Sequence, residues 1–224
     1  MKFSASEENY IKSIYSLQGK TEKVNTNSLA GYLNMRAASV TDMLKRLKTK
    51  KLVEYRKYHG FRLNDSGNKE ALKIIRRHRL WEFFLVTRLG MEWDKVHAIA
   101  EELEHVSSSD LIKRLDNFLG QPKIDPHGDP IPDANGKMPV LNQVSLSTLS
   151  LKKNGIVSSV SSQTQQMMEM LNHYGISIGS QIKVLKMFGF DGSLQIKISK
   201  QPACIISEQA AKNIFVYDDN EKKQ

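Results

Sequence analysis

Residues 25–47 read NTNSLAGYLNMRAASVTDMLKRL. Asn25 to Leu33 has the length and spacing of one short helix, and Asn34 to Ser39 is a tight connection. Ser39 to Leu47 is a further helix, with Val40, Met43, Leu44 and Leu47 on one face and polar residues on the other. Upstream, residues 6–18 place Tyr10, Ile11, Ile14 and Leu17 at helical spacing, with Ser6 as a cap and Gly19 as a stop. Three helices with a tight turn before the third make a helix-turn-helix. Directly after it, Leu52 to Leu63 (LVEYRKYHGFRL) reads as two short β runs around a His-Gly turn, a hairpin with a basic, aromatic tip. This order is that of a winged helix-turn-helix. The alternative is a small helical domain stiffened by a hairpin.

Charge supports the first reading. The chain of 224 residues carries a net +9. Residues 1–64 hold 13 Lys/Arg against 5 Asp/Glu, residues 65–120 hold 9 against 10, and residues 121–224 hold 11 against 9. The excess therefore sits in the first module, which suits a polyanion such as nucleic acid. The single Cys204 forms no internal disulfide, and no apolar run reaches the roughly 20 residues that span a bilayer. The expectation is a cytoplasmic protein with no membrane partner.

Further outward, a long helix from about Asn68 to Leu89 follows an Asn64-Asp65-Ser66-Gly67 turn, with Asp65 or Ser66 as its cap and Gly90 at its close. Trp93 to Val106 and a helix capped within Ser107–Ser109 complete a near-neutral helical block. Its wide apolar faces serve either as core or as a dimer interface. Residues 120–143 contain five of the six prolines and read as linker. Beyond them, Ser180–Lys186, Ser193–Ser199 and Ala203–Ser207 read as strands and Gln163–Asn172 as a short helix, the makings of a small β-barrel. The domain expectation is 1–64 winged helix-turn-helix, 65–120 helical block, 121–143 linker, 144–217 small β-barrel and 218–224 disordered tail. The fold class is mainly α.

Chemistry enters at residues 97–105, HAIAEELEH. On a helix His97, Glu101 and His105 share a face, with Glu104 one step around. The preceding helix carries His78 and Glu82, again four apart. Such groups are either a salt-bridged solvated face or ligands for a first-row divalent ion. Enzyme signatures are missing from the sequence: there is no His-Glu-x-x-His, no Gly-rich phosphate loop and no Gly-x-Ser-x-Gly elbow. His127, in Asp125-Pro-His127-Gly, has no evident companion and reads as structural.

Residues 7–132 closely resemble the metal-dependent repressors of the diphtheria toxin repressor and manganese transport regulator family. The resemblance is carried by EENYIKSIY, AASVTDMLKRL, RRHRLWEFFLV, VHAIAEELEHVSS and DPHGDPIP. The C-terminal part is similar, more loosely, to that family's Src-homology-3-like barrel. The resemblance implies a homodimer with two metal sites per subunit. Glu101, Glu104 and His105 would hold the regulatory ion. Asn9, a neutral and weak donor, stands where relatives carry methionine or aspartate. His78, Glu82 and His97 match the ancillary site, to which the barrel adds ligands in some relatives, here Gln163 and Gln166. Iron-selective members carry cysteine at the position of Glu101. A carboxylate there makes the site harder and favours Mn²⁺, with Fe²⁺ as the alternative.

The function expected is a metal-sensing transcriptional repressor of metal-homeostasis genes, acting on double-stranded operator DNA. Arg36, Ala38, Ser39, Thr41 and Asp42 lie nearest the bases, and Lys45, Arg46, Arg56, Lys57 and Arg62 meet phosphate. The rivals are a DNA-binding regulator whose metals are purely structural and a metal-dependent hydrolase.

Overall fold

The computed structural model describes residues 3–21, 24–56, 60–161 and 164–218. They fall into two compact units. The first comprises residues 1–81, 98–121 and 131–138, and the second residues 82–97, 122–130 and 139–224.

The first unit begins with α1 (Ala5–Lys20), α2 (Thr26–Leu33) and α3 (Ala37–Thr49). The α1 cap is Ser4, not Ser6. Its side chain accepts from the Glu7 amide while the Glu7 carboxylate accepts from the Ser4 amide, so two orphan donors are satisfied together. Helix α1 also runs one residue past Gly19. Asn25 caps α2 in the same reciprocal way, through Ser28. Asn34 then takes the left-handed conformation (φ 52°), and Arg36 stands as the first residue outside α3. This turn fixes the direction of α3. Tyr10, Ile11 and Ile14 of α1, Leu29 of α2 and Val40, Leu44 and Leu47 of α3 make one buried core.

Strands β1 (Val53–Arg56) and β2 (Gly60–Leu63) pair antiparallel, with Val53 opposite Leu63. The intended hairpin tip, including Lys57, lies outside the described residues. Gly60 sits at φ 75° with the Val24 carbonyl 2.1 Å from where a Cβ would stand, so only glycine lets the wing close on residue 24.

Helices α4 (Asp65–Thr87), α5 (Val96–Val106) and α6 (Ser109–Phe118) follow. The cap of α4 is Asn64, whose side-chain oxygen accepts from the Gly67 amide, rather than Asp65 or Ser66. Ser108 caps α6. Arg76 of α4 ties α6 through Asp116 (2.6 Å) and holds the Pro132 carbonyl. None of the described helices is long and apolar enough to cross a membrane.

The second unit is built on a six-stranded antiparallel sheet. In chain order its strands are β3 (Val144–Ser145), β4 (Asn154–Val160), β5 (Gln181–Met187), β6 (Leu194–Ile198), β7 (Cys204–Ile206) and β8 (Ile214–Asp218). The spatial order is β3-β8-β4-β5-β6-β7, so the sheet is open at β3 and β7 rather than the closed barrel expected from sequence. Alternation sends Ile182, Val184, Leu194, Ile196, Ile198, Ile214 and Val216 inward, where α7 (Gln165–His173) adds Met167, Met168 and Leu171. A short helix α8 (Glu208–Asn213) leads into β8. Within residues 121–143, Asp125, His127 and Ile131 are buried.

Candidate metal centres and nucleic-acid interface

Two clusters of imidazole and carboxylate groups form, one in each unit. The first lies where α1 meets α5. His105 of α5 places Nδ1 2.7 Å from Glu8 Oε2 of α1, and the other oxygen of Glu8 accepts from Arg77 of α4 at 2.6 Å. Glu104 is fully buried. Its Oε2 meets His78 Nδ1 at 2.6 Å and its Oε1 accepts from Lys12 Nζ at 2.7 Å. Lys12 also stands 3.7 Å from Glu101 Oε1. Burial opposes ionisation of Glu104. The hydrogen bond with His78 and the positive charges of Lys12 and His78 outweigh it, and the carboxyl is held below its ordinary value.

Three side-chain atoms on α1, α4 and α5 are buried with no hydrogen-bond partner: Asn9 Oδ1, Arg77 Nε and His105 Nε2, the last 3.6 Å from Glu104 Oε1. A buried acceptor left unmet costs free energy unless something occupies the space beside it. An amide oxygen, an imidazole nitrogen and two carboxylates form a donor set suited to a hard or borderline divalent cation. The residues therefore fit the ion that the sequence suggested. Their donor atoms have not converged, however. Among the described residues, no group of three ligands within 4.8 Å of one another includes Glu101, Glu104 or His105.

The second cluster lies in the second unit. Ligand atoms of Glu82, Asp125 and His127, all buried, stand within 4.8 Å of one another. His127 Nε2 lies 2.8 Å from the Trp93 carbonyl oxygen. Its Nδ1 is 3.6 Å from Glu82 Oε2 and is buried with no hydrogen-bond partner. The carbonyl fixes one nitrogen as donor and leaves the other aimed at a carboxylate, the orientation of a metal-ligating histidine. Burial works against the charged ring, but the neighbouring carboxylates of Glu82 and Asp125 prevail and raise the His127 pKa. Glu82 also meets His97, with Nδ1 3.1 Å from Oε1.

Each sequence-selected residue now has a place. Glu101, Glu104 and His105 lie at the α1–α5 junction, and Asn9 stands next to Glu8 on α1. His78 meets Glu104 and also offers a ligand atom within 4.8 Å of those of Glu82 and His97, the trio assigned to the second site. Glu82 and His97 touch. Gln166 is exposed at the start of α7, and Gln163 lies outside the described residues. His127 has companions that the sequence did not reveal, and Lys12 and Glu8 were passed over. The signal for the last two was the i, i+4 spacing that sets Glu8 and Lys12 on one face of α1 beside Asn9.

Arg36 at the N-cap of α3 and Ala38, Ser39, Thr41, Asp42, Lys45 and Arg46 on it are all exposed, away from the face that Val40, Leu44 and Leu47 bury. Asp42 and Lys45 pair at 3.2 Å. Arg62 on the wing is half-buried. Of Arg56 only the backbone is described, and Lys57 is outside the described residues.

Residues 2–61 match the N-terminal DNA-binding domain of iron-dependent repressors, and residues 64–133 match their metal-binding and dimerisation domain. MntR, an HTH-type transcriptional regulator of Oceanobacillus iheyensis, is 31% identical over 118 residues, 53% of this chain and 80% of that protein. The chain belongs to the diphtheria toxin repressor and MntR family of metal-dependent repressors. Residues 144–218 match the FeoA domain. A manganese-dependent transcriptional repressor solved in complex with manganese superimposes with a TM-score of 0.85 at 35% identity, over 95% of this chain and 99% of that one. The iron-dependent repressor IdeR of Mycobacterium tuberculosis is 32% identical over 125 residues, and the match spans 54% of its length. The chain thus spans about half the length of that curated relative.

Proposed function

We propose that this protein is a divalent-metal-dependent transcriptional repressor, a sensor and not an enzyme, controlling metal-homeostasis genes in the cytoplasm. The observation that carries the reading is the α1–α5 junction. Helix α1 contributes Tyr10, Ile11 and Ile14 to the core that supports α3, and on its other side it meets His105 and Glu104 of α5. A ligand set shared between the DNA-reading module and the helical block couples ion binding to the pose of α3.

The regulatory ion would be held by Glu101, Glu104, His105 and Asn9. Mn²⁺ suits this oxygen-rich set, with Fe²⁺ as the alternative. A second ion would be held at Glu82, with His78 and His97 as the resemblance implies or with Asp125 and His127, and with the ancillary role of Gln163 and Gln166 carried over from the resemblance alone. A bound divalent ion supplies the charge that draws the two carboxylates, the imidazole and the amide together. The rest belongs to the chain. Glu8 and Arg77 hold α1 to α5 and α4. The Asn34 turn aims α3. The exposed Arg36 and Ala38 face the base edges, while Lys45, Arg46, Arg56, Lys57 and Arg62 engage phosphate.

The chain is read as three modules: residues 1–64 for DNA, 65–120 for metal and dimerisation, and 144–217 as a small Src-homology-3-like domain, with 218–224 as a tail. Val106, Leu111 and Phe118 stand exposed on α5 and α6, apolar surface of the kind that a homodimer covers. In such a dimer the two α3 helices must fall about one DNA turn, ~34 Å, apart. Moving the population from mostly wrong to mostly right spacing takes about 3–5 kcal/mol of differential ion binding.

The test is operator affinity titrated against free Mn²⁺, and separately Fe²⁺ without oxygen. The expected result is tight binding only with metal in the wild type and none in Glu104→Ala at concentrations that load the second cluster. Operator affinity independent of added metal would leave a DNA-binding protein with structural ions, and cleavage of the DNA would leave a hydrolase.

A further inference from the structure

The Lys12 side chain stands in the middle of the first cluster, where the sequence reading expected an ion. Its ammonium lies 2.7 Å from Glu104 Oε1 and 3.7 Å from Glu101 Oε1, its side chain is 19% exposed, and the Glu104 side chain is fully buried. A buried carboxylate needs a compensating charge. His78 supplies a partner to one oxygen of Glu104 and Lys12 to the other.

The ammonium satisfies only part of the set. It is a compact, monovalent point charge whose three hydrogen-bond donors are directed here at the carboxylates, and it lacks the second charge and the open coordination positions with which a divalent ion gathers imidazole and amide donors as well. His105 Nε2, 3.6 Å from Glu104 Oε1, and Asn9 Oδ1 on α1 remain buried without hydrogen-bond partners. A divalent ion coordinated by those two atoms and both carboxylates would need the Glu104 and Glu101 oxygens that Lys12 now engages. Ion and ammonium cannot both have them.

We propose that Lys12 is a tethered competitor cation that the regulatory metal must displace, so that Lys12 sets the concentration at which the sensor responds. This rests on the assignment of the α1–α5 cluster as the regulatory site. Helix α1 places the competitor one turn beyond Glu8 and three residues beyond Asn9, on the face that meets α5. In the metal-free protein the Lys12–Glu104 pair tethers α1 to α5 with a single charge. On loading, the flexible four-carbon stem lets the ammonium swing outward while its charge continues to oppose the ion at short range. Binding is thus an exchange of one cation for another, and its threshold is higher than the same ligands would give without Lys12.

The experiment measures free Mn²⁺ by its hexaaqua EPR signal during titration of the full chain, with no DNA present. Glu104→Ala first identifies which binding step belongs to this cluster. Lys12→Met keeps the stem and removes the charge. It is expected to tighten that step at least about tenfold, the factor equal to 1.4 kcal/mol. Lys12→Arg keeps a competing cation and is expected not to exceed the wild-type affinity. The metal-free Lys12→Met protein should melt below the metal-free wild type, with the gap closing when Mn²⁺ is saturating. Lys12→Gln serves as the second neutral variant if Lys12→Met does not fold. Should the neutral variants bind Mn²⁺ no more tightly than wild type while Glu104→Ala loses the step, the competitor role is overturned and the metal site stands. If Glu104→Ala retains every binding step, the site assignment fails and this proposal with it.

Discussion

Gly128→Ala tests whether the proline-rich segment is a built part of the second cluster. Gly128 adopts φ 83°, and the Ser158 carbonyl oxygen stands 1.7 Å from where an alanine Cβ would lie. The obstruction is backbone, so no side-chain rotation relieves it. The two chain segments must part by about 1.5 Å to restore ordinary contact. Several bonds resist that movement. The Asp125 side chain accepts from the amides of His127 (2.8 Å) and Asp129 (2.9 Å), the Gly128 amide donates to the Asp125 carbonyl, and the Val160 amide donates to the His127 carbonyl at 3.0 Å. Left-handed backbone costs a non-glycine residue about 1–2 kcal/mol, and overpacking adds about 1–3 kcal/mol. At about 2–4 °C per kcal/mol for a chain of this size, the melting temperature should fall by about 5–15 °C. Metal binding should suffer more, because ligand distances tolerate only about 0.2 Å. The assays are thermal unfolding and Mn²⁺ stoichiometry by equilibrium dialysis. The expected stoichiometry falls from two ions per chain to one, the survivor being the step that Glu104→Ala removes. A variant with unchanged melting temperature and both ions retained would refute the reasoning.

Two further outcomes follow from charge. The His127 pKa is raised in the folded, metal-free chain. Its contribution to stability is therefore fully present below the unfolded value of about 6.5 and is lost as pH rises through the raised folded value. Metal must expel that same proton, so Mn²⁺ affinity at the second cluster should climb by up to about tenfold per pH unit until the ring is neutral, and His127→Gln should abolish that dependence in a calorimetric pH series. On α3, the exposed Arg46→Ala should weaken binding to operator and random DNA alike and reduce the salt slope by about one. A loss confined to operator DNA in fluorescence anisotropy would show that Arg46 reads bases.

What the sequence disclosed depended on how locally each element is encoded. The α1–α3 core was legible because Tyr10, Ile11, Ile14, Val40, Leu44 and Leu47 repeat at helical spacing and face one another without help from distant segments. Strand β4 was not. Its alternation is broken by a bulge between Val157 and Ser159, and buried Ser158 and Ser159 both donate to Gln143, so a polar pair sits where a period-two pattern demands contrast. The open sheet was illegible for a related reason: β3 is two residues long, too short to announce an edge. At the sites, ligands four apart on one helix were visible, whereas the His127–Glu82 approach joins a loop to α4 across a long stretch of chain and leaves no local mark. Lys12 shows the opposite failure. Its spacing from Glu8 was plain, but basic residues on helices are common, and only the burial of Glu104 distinguishes this one.

That burial explains why α1 can transmit the state of the metal cluster. Its two sides are committed to different neighbours. Tyr10, Ile11 and Ile14 are buried in the core shared with α2 and α3, while Glu8 and Lys12 are held by His105, Arg77 and Glu104. A helix pinned on both sides moves as a rod, because its packed core resists local deformation. Replacing the Lys12–Glu104 tether by coordination that also takes in Asn9 changes which part of the rod is pulled toward α5, from one turn after Glu8 to the residue next to it. Such a change would tilt α1, and with it the α2–α3 pair fixed on its opposite face. On the proposed function the pose of α3 would thereby be set at Glu104, without any ligand touching α3 itself.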